Sequence, residues 1–486
     1  MHGLKFKCFI LFFIFIILTS CATTKVEDFY KNLAPLIEEQ DVGGAVSFAS
    51  NFYENADKYN KLLYALELGL LYHKNENYRD SNKIFEEVKS IYSMRDYIST
   101  TFCNDILFPS YYLGEGFEIA YTNFFCSLNY LKIKNFKLKR NEAVVEARQV
   151  NNLFNKIKTD SPDSIYKDDP FLRYFMGIIY QNAEYYSDAM ISYKLALNAY
   201  NDYNICNLDI PKDLINSLYT LYCYFGLIKD ADNLKKQYSY AKKTNITGNL
   251  IIINYNGIAP KRIEKTISVP FEIAWNKYYK RNNMYKYGVM SEFSLHEISV
   301  NFPVYKNYNN LIKSFKIEIT DKNDISKKYY SNSFLVTNFA TILKKHLKEP
   351  NYKSLFYSRI NKYVLALKEI EILRKQYEQR RYNILSNQSL DSNSKRREID
   401  DLYRETMLNI RDIKISLNVL NKLNLKSWRS LPETINMAKI NLPEGKYNII
   451  IQYLDEYGNI VETKEIETKI KNNKNKFLLT NSYIGE

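Results

Sequence analysis

Histidines, cysteines and paired carboxylates are the residues best suited to chemistry in this 486-residue chain, and their spacing gives them little to do together. His73, His296 and His346 stand far apart, and none has another histidine or a cysteine at metal-ligand spacing. The acidic pairs Glu86-Glu87 and Asp400-Asp401 fall on helix surfaces by position. A glycoside-cleaving pair would need two carboxylates converging from elsewhere in the fold. Glycines are few and isolated, so the chain lacks a GxSxG nucleophile turn, a Walker-type phosphate loop and a dinucleotide fingerprint. These patterns predict no enzyme, no cofactor and no metal.

Cysteine offers one exception, at the beginning of the chain. Lys5 and Lys7 precede an apolar run from Cys8 to Leu18, followed by Leu18-Thr19-Ser20-Cys21. About eleven apolar residues fall short of the roughly twenty that span a bilayer, so the run reads as a signal peptide over residues 1–20. Leu18 three residues before Cys21, with small Thr19 and Ser20 between, resembles the signal cut by the lipoprotein-specific peptidase. That resemblance implies diacylglycerol on the Cys21 sulfur and an acylated amino terminus, which makes the membrane a partner through lipid. The expected address is extracytoplasmic, anchored to the cell membrane or, as Ala22 would allow, the outer membrane. Cys103, Cys126, Cys206 and Cys223 remain, spaced too irregularly for a disulfide framework; both bridges and buried thiols stay open.

The formal charge of +14 falls to +12 once Lys5 and Lys7 are set aside with the leader. Basic residues are dispersed among acidic ones, without the clustering of a nucleic-acid module, so no nucleic-acid partner is expected.

These residues must be carried by repeated elements. From about Val26 to Lys243 apolar residues recur at three and four, with few Gly or Pro, which predicts helices. In DPFLRYFMGIIYQNAEYYSDAMISYKLALNAY, the residues Gly177, Tyr180, Ala189, Tyr193 and Ala196 occupy signature places of a tetratricopeptide repeat. Small residues there let paired helices approach, and large ones fill the gap to the next pair. Gly69, Tyr72, Ser81, Phe85 and Val88 repeat the scheme; Tyr222, Gly226 and Ala231 keep part of it. Tyr130, Ala143 and Ala147 mark a degenerate pair between. Solenoids curve, and their concave face ordinarily takes a partner segment, so a protein partner is expected in the groove.

At Gly248 the texture changes. NLIIINYNG, KTISVP, HEISVNFPVY and SFKIEITDK read as strands, and so do the blocks INMAKINLPEGKYNIIIQYL, IVETKEIETKI and KFLLTNSY. Between them, Tyr363, Leu367, Ile370, Tyr377 and Ile384 form one stripe, and Ile399, Ile410, Ile413, Leu417 and Leu420 a second, predicting an antiparallel helical hairpin. Arg374 and Arg381 interrupt the first stripe. The expected fold class is α+β: a tetratricopeptide-like α-solenoid followed by a β-sandwich-like domain with an inserted helical hairpin. The boundaries are 21–244 for the solenoid, 245–332 and 428–486 for the two parts of the β domain, and 333–427 for the insertion.

Several blocks, from roughly Phe117 to the carboxy terminus, together resemble an uncharacterised family of bacterial tetratricopeptide-like lipoproteins. They are Tyr130 to Arg148, the unit at Gly177, GNLIIINYNGIAPKR, ISVNFPVY and SWRSLPETINMAKINLPEGKY. Trp428, Arg429 and Pro432 stand where the family carries the same residues before its last sheet. The charged hairpin around Asn387 to Glu398 departs from the family's small-residue apolar stretch. Trp428 is expected to anchor the last sheet, with Arg429 hydrogen-bonded to a neighbouring carbonyl or acid. The family has no established reaction; the repeat pattern joined to the lipoprotein signal points to an envelope adaptor or scaffold. An accessory regulator of cell-wall synthesis or envelope assembly is the alternative, and an envelope-polymer enzyme is unsupported by any motif.

Overall fold

The computed structural model describes residues 26–57, 60–94, 112, 114–133, 136–160, 166–202, 206–279, 285–346, 351–419, 425–471 and 474–483. Leu18 to Cys21 and Cys103 lie outside the described residues. The helices of the first half are α1 (26–38), α2 (Val42–Glu54), α3 (Lys61–Lys74), α4 (Tyr78–Ser93) and α5 (Gly116–Lys132). They continue as α6 (Phe136–Asp160), α7 (Pro170–Asn182), α8 (Tyr186–Asp202), α9 (Lys212–Tyr224) and α10 (Ile228–Gln237). The second half comprises β1 (Asn249–Asn256), β2 (Lys261–Pro270), α11 (Phe271–Ala274, continued by a π turn over Trp275–Tyr279), α12 (Lys286–Phe293), β3 (Glu297–Lys306), β4 (Ser314–Asp321), β5 (Lys328–Asn332), β6 (Phe334–Asn338) and α13 (Phe339–His346). Then follow α14 (Tyr352–Ser386), α15 (Ser392–Val419), β7 (Thr434–Asn441), β8 (Gly445–Leu454), β9 (Ile460–Ile470) and β10 (Lys476–Ser482). The fold class is α+β, a helical repeat array followed by a sheet-rich region. The chain divides into two compact units.

The first unit comprises Met1–Lys261, Tyr305–His346 and Lys426–Glu486. Its helices pair antiparallel: α3 with α4, α5 with α6, α7 with α8, α9 with α10. Outer helices such as α4 keep a polar face, but α3, α5 and α7 are buried almost all round. Every residue of Leu62–Leu71, Phe117–Asn129 and Pro170–Asn182 is buried. A helix can be enclosed so completely only between two layers. The second layer is a four-stranded sheet ordered β10-β1-β7-β6, with β1 parallel to β10 and antiparallel to β7. Alternation along β1 sends Ile251, Ile253 and Tyr255 into the helical core and Leu250 and Ile252 the other way. There they meet Phe315, Ile317 and Ile319 of β4 and Tyr447, Ile449 and Ile451 of β8, from a second sheet ordered β5-β4-β8-β9. The result is helices, sheet, sheet. It explains why β1 is buried at all eight positions, as a strand covered on both faces must be.

The second unit comprises Arg262–Val304 and Leu347–Leu425. β2 and β3 form a two-stranded sheet, and Phe271, Trp275, Val289 and Ile298 pack with Phe356, Ile360 and Leu367 of α14 and Leu417 of α15. Two expectations change here. The segment 333–427 is not helical throughout, because Phe334–Asn338 forms β6, paired with β7 across a bulge. ISVNFPVY pairs with β2 instead of entering the sheets of the late strands. The late strands do share sheets with β1 and β4.

Candidate functional site

The inner face of the helical array is the surface where a partner was expected, and this chain's own second half covers it. Each inner helix carries a polar tie. On α3, the buried Glu67 carboxylate accepts from the Arg429 N–H at 2.7 Å and the Ser430 N–H at 2.9 Å, and the Tyr30 hydroxyl stands 2.7 Å away. Burial pushes the Glu67 carboxyl up, and these donors pull it back. His73, nearly two helical turns further, reaches Asn129 Oδ1 at 2.5 Å and the Tyr255 hydroxyl of β1 at 2.8 Å. Burial lowers its pKa to about 4, so the ring is neutral. On α5, the Tyr121 hydroxyl meets Thr337 Oγ1 of β6 at 2.8 Å. On α7, Gln181 donates to the Ile246 carbonyl, and on α9 Asp213 takes the Lys439 ammonium of β7 at 2.9 Å. The groove reading is corrected accordingly: one alternating set of apolar residues of β1 and β7, Ile251, Ile253, Tyr255, Ile435 and Met437, covers the inner face, while the other set packs against the second sheet.

The signature residues sit in the helix interfaces. A Cβ on Gly69 would stand 2.6 Å from the Phe85 ring, and one on Gly177 would overlap the Tyr193 ring. Ala189, Tyr193 and Ala196 of α8 and Tyr180 of α7 are buried, whereas Tyr72 is half-buried. The Tyr193 hydroxyl donates to Gln181 Oε1 at 2.5 Å. Trp428 is buried, its ring edge-on to Phe85 and Phe125 at 6.3 and 6.1 Å, and its Nε1 donates to Ser430 Oγ. It therefore ties its segment to the helices, where the sequence reading expects a sheet anchor. Pro432 is buried beside it. The Arg429 bond to an acid comes from its backbone, and its guanidinium lies 3.9 Å over the Tyr30 ring. Glu67 was missed, although a lone carboxylate inside LLYALELGLLYH is the kind of signal that marks a buried polar tie.

Two further places bear on chemistry. Oxygens of Glu86 and Glu146 and the sulfur of buried Cys126 lie within 4.8 Å of one another, but Lys89 Nζ stands 2.6 Å from Glu86 and 2.9 Å from Glu146, so the cation's place is taken by the chain's own ammonium. An open cavity of about 710 Å³ lies between α9, the 243–248 loop and the β7–β8 turn. Thr220, Cys223, Tyr224, Lys243 and Asn441 are among its lining residues, which include no carboxylate or histidine. Cys126, Cys206 and Cys223 are free thiols. Among the described residues no helix is long and apolar enough to cross a membrane.

The outer edge of the array differs from its inner face. At the turns joining α7 to α8 and α9 to α10, Tyr185, Tyr224, Phe225 and Ile228 are exposed, Ile228 by 71%. The Tyr186 and Tyr224 rings meet across the two turns at 5.3 Å, and Tyr224 and Phe225 at 5.1 Å. A contiguous aromatic strip of this kind has the composition of an interface centre.

No protein-family model matches the chain, and no curated protein sequence matches it. Among solved structures, a Podosopora anserina protein with nearly identical TPR-like repeats, described in relation to kinesin light chain, is similar over 44% of this chain and 92% of its own, at 14% identity and a TM-score of 0.29. A single-substitution variant of that protein is similar at 13% identity with the same coverage and TM-score. The helical pairing described above stands on this chain's own geometry.

Proposed function

We propose that the chain is a lipid-anchored extracytoplasmic scaffold that holds a protein partner on the outer edge of its helical array. The observation that carries the reading is the exposed strip of Tyr185, Tyr224, Phe225 and Ile228. With the concave face filled, this edge is where paired helices offer large side chains whose burial would drive association. The anchor is supported by Leu18-Thr19-Ser20-Cys21 after a short apolar run, and the envelope setting by the resemblance of SWRSLP and the blocks around it to bacterial tetratricopeptide-like lipoproteins. The reading assigns no catalytic step.

Two measurements test it. Labelled fatty acid supplied to cells is expected on the full chain and absent from a Cys21→Ala variant; an unlabelled wild type removes the anchor. Crosslinking in intact cells is expected to capture a specific protein, and Tyr224→Ser with Ile228→Ser to weaken its affinity by roughly 30-fold, about 1 kcal/mol for each side chain. Undiminished capture by the double variant removes the outer edge as the docking surface.

A further inference from the structure

We propose that the tip of the α14–α15 hairpin binds the anionic headgroups of a lipid bilayer. The base of this hairpin is packed through Phe356, Ile360, Leu367 and Leu417, but no residue between Ile370 and Leu402 is buried. From Ile370 to the end of α14 the rise is about 24 Å, so each helix runs several turns beyond its own unit's core. What holds this arm together is light: the Tyr377 and Tyr403 rings at 6.2 Å and an exposed Arg380–Glu405 pair at 3.5 Å.

The end of the arm is basic. Between residues 378 and 398 stand Arg380, Arg381, Lys395, Arg396 and Arg397 against Glu378, Asp391 and Glu398, an excess of two positive charges. Asp391 is committed to the start of α15, accepting from the Asn393 N–H at 2.8 Å and the Ser394 N–H at 3.0 Å. Lys395 donates to the Leu385 carbonyl at 3.0 Å, which binds the two helices across the loop. Arg380 and Arg381 have only long exposed partners, which water and salt screen. Arg396 and Arg397 enter no ion pair among the described residues. The charge of the tip is therefore left for something outside the chain.

Tyr382, exposed by 67%, and Leu385, exposed by 50%, stand among these cations, with half-buried Ile384 and Leu390 beside them. A phosphate polymer in water would gain from the cations and nothing from the aliphatic groups. A bilayer interface takes both, since headgroup phosphates meet the arginines while the Tyr and Leu side chains leave water at the level where aromatic and aliphatic anchors are favoured. The contact is separate from the lipid at Cys21 and does not require it.

The full chain carrying Cys21→Ser, which removes the acylated residue, is mixed with phosphatidylcholine vesicles with and without phosphatidylglycerol, and co-sedimentation is measured. Binding is expected only to the phosphatidylglycerol vesicles and is expected to weaken as salt rises. Arg396→Glu with Arg397→Glu is expected to weaken it by about tenfold or more. Tyr382→Ser with Leu385→Ser is expected to weaken it at unchanged salt dependence. Both pairs lie on exposed positions, and an unchanged circular dichroism melt shows that each variant folds. Equal binding to neutral vesicles, binding untouched by either pair, or tighter binding to duplex DNA than to phosphatidylglycerol vesicles would each overturn the proposal.

Discussion

Gly177 leaves the space on α7 that the Tyr193 ring of α8 occupies, so a side chain there would overlap that ring. Alanine favours a helix over glycine by about 1 kcal/mol, and an overlap in a packed core costs about 1–3 kcal/mol. The overlap involves a buried aromatic that cannot swing aside, so Gly177→Ala is expected to destabilise the chain by about 1 kcal/mol net, read from the midpoint of a denaturant titration. His73 carries the pH dependence at this scale. Its folded pKa of about 4 lies below the ordinary 6.5 because burial disfavours the charged ring. As pH falls through 6.5 the unfolded chain takes up a proton that the folded chain refuses until about 4. Stability from this group is thus full above pH 6.5 and declines below it, by up to roughly 3 kcal/mol at pH 4. His73→Gln is expected to flatten that part of the stability–pH curve; an unaltered slope between pH 6.5 and 4 would show that other groups set it.

The SWRSLP segment is the element on which the helical and sheet layers meet. Trp428 fills the angle between Phe85 and Phe125, and the two N–H groups after it satisfy Glu67. Trp428→Ala is expected to cost about 3–5 kcal/mol and to lower the single thermal transition of the first unit, since the cavity would open at the junction of both layers. Much of the element content was legible beforehand. The spacing of Gly177 and Tyr193 announced a close helix pair, and the β-rich run NLIIINYN announced a strand, though not that both of its faces would be covered. Short β6 was not legible, because FLVTN leads directly into α13 and its apolar residues fit either period. Nor could the sequence show what Glu67 meets, since its partners lie 362 and 363 residues away along the chain.

At the scale of the molecule, two compact units divide the work. The first unit closes a helical array over its own sheets; the second carries the charged arm. Among the described residues, a broad-specificity protease is expected to cut first at the exposed loop between Asn387 and Asp391 and to leave the first unit's melting transition in place, because that loop enters no hydrophobic core. An early cut within α3, α5 or α7 would contradict the packing described. The enclosure of the array also has a consequence for how the protein is made. Gln40 bonds the Tyr483 carbonyl, Tyr30 the Ser427 carbonyl, and β1 runs beside β10 at the other end of the chain. During synthesis the inner helices emerge long before the strands that will cover them, and contacts so distant in sequence form slowly. The nascent array therefore waits with its apolar side uncovered until β10 has been made, the interval in which the chain is most exposed to aggregation.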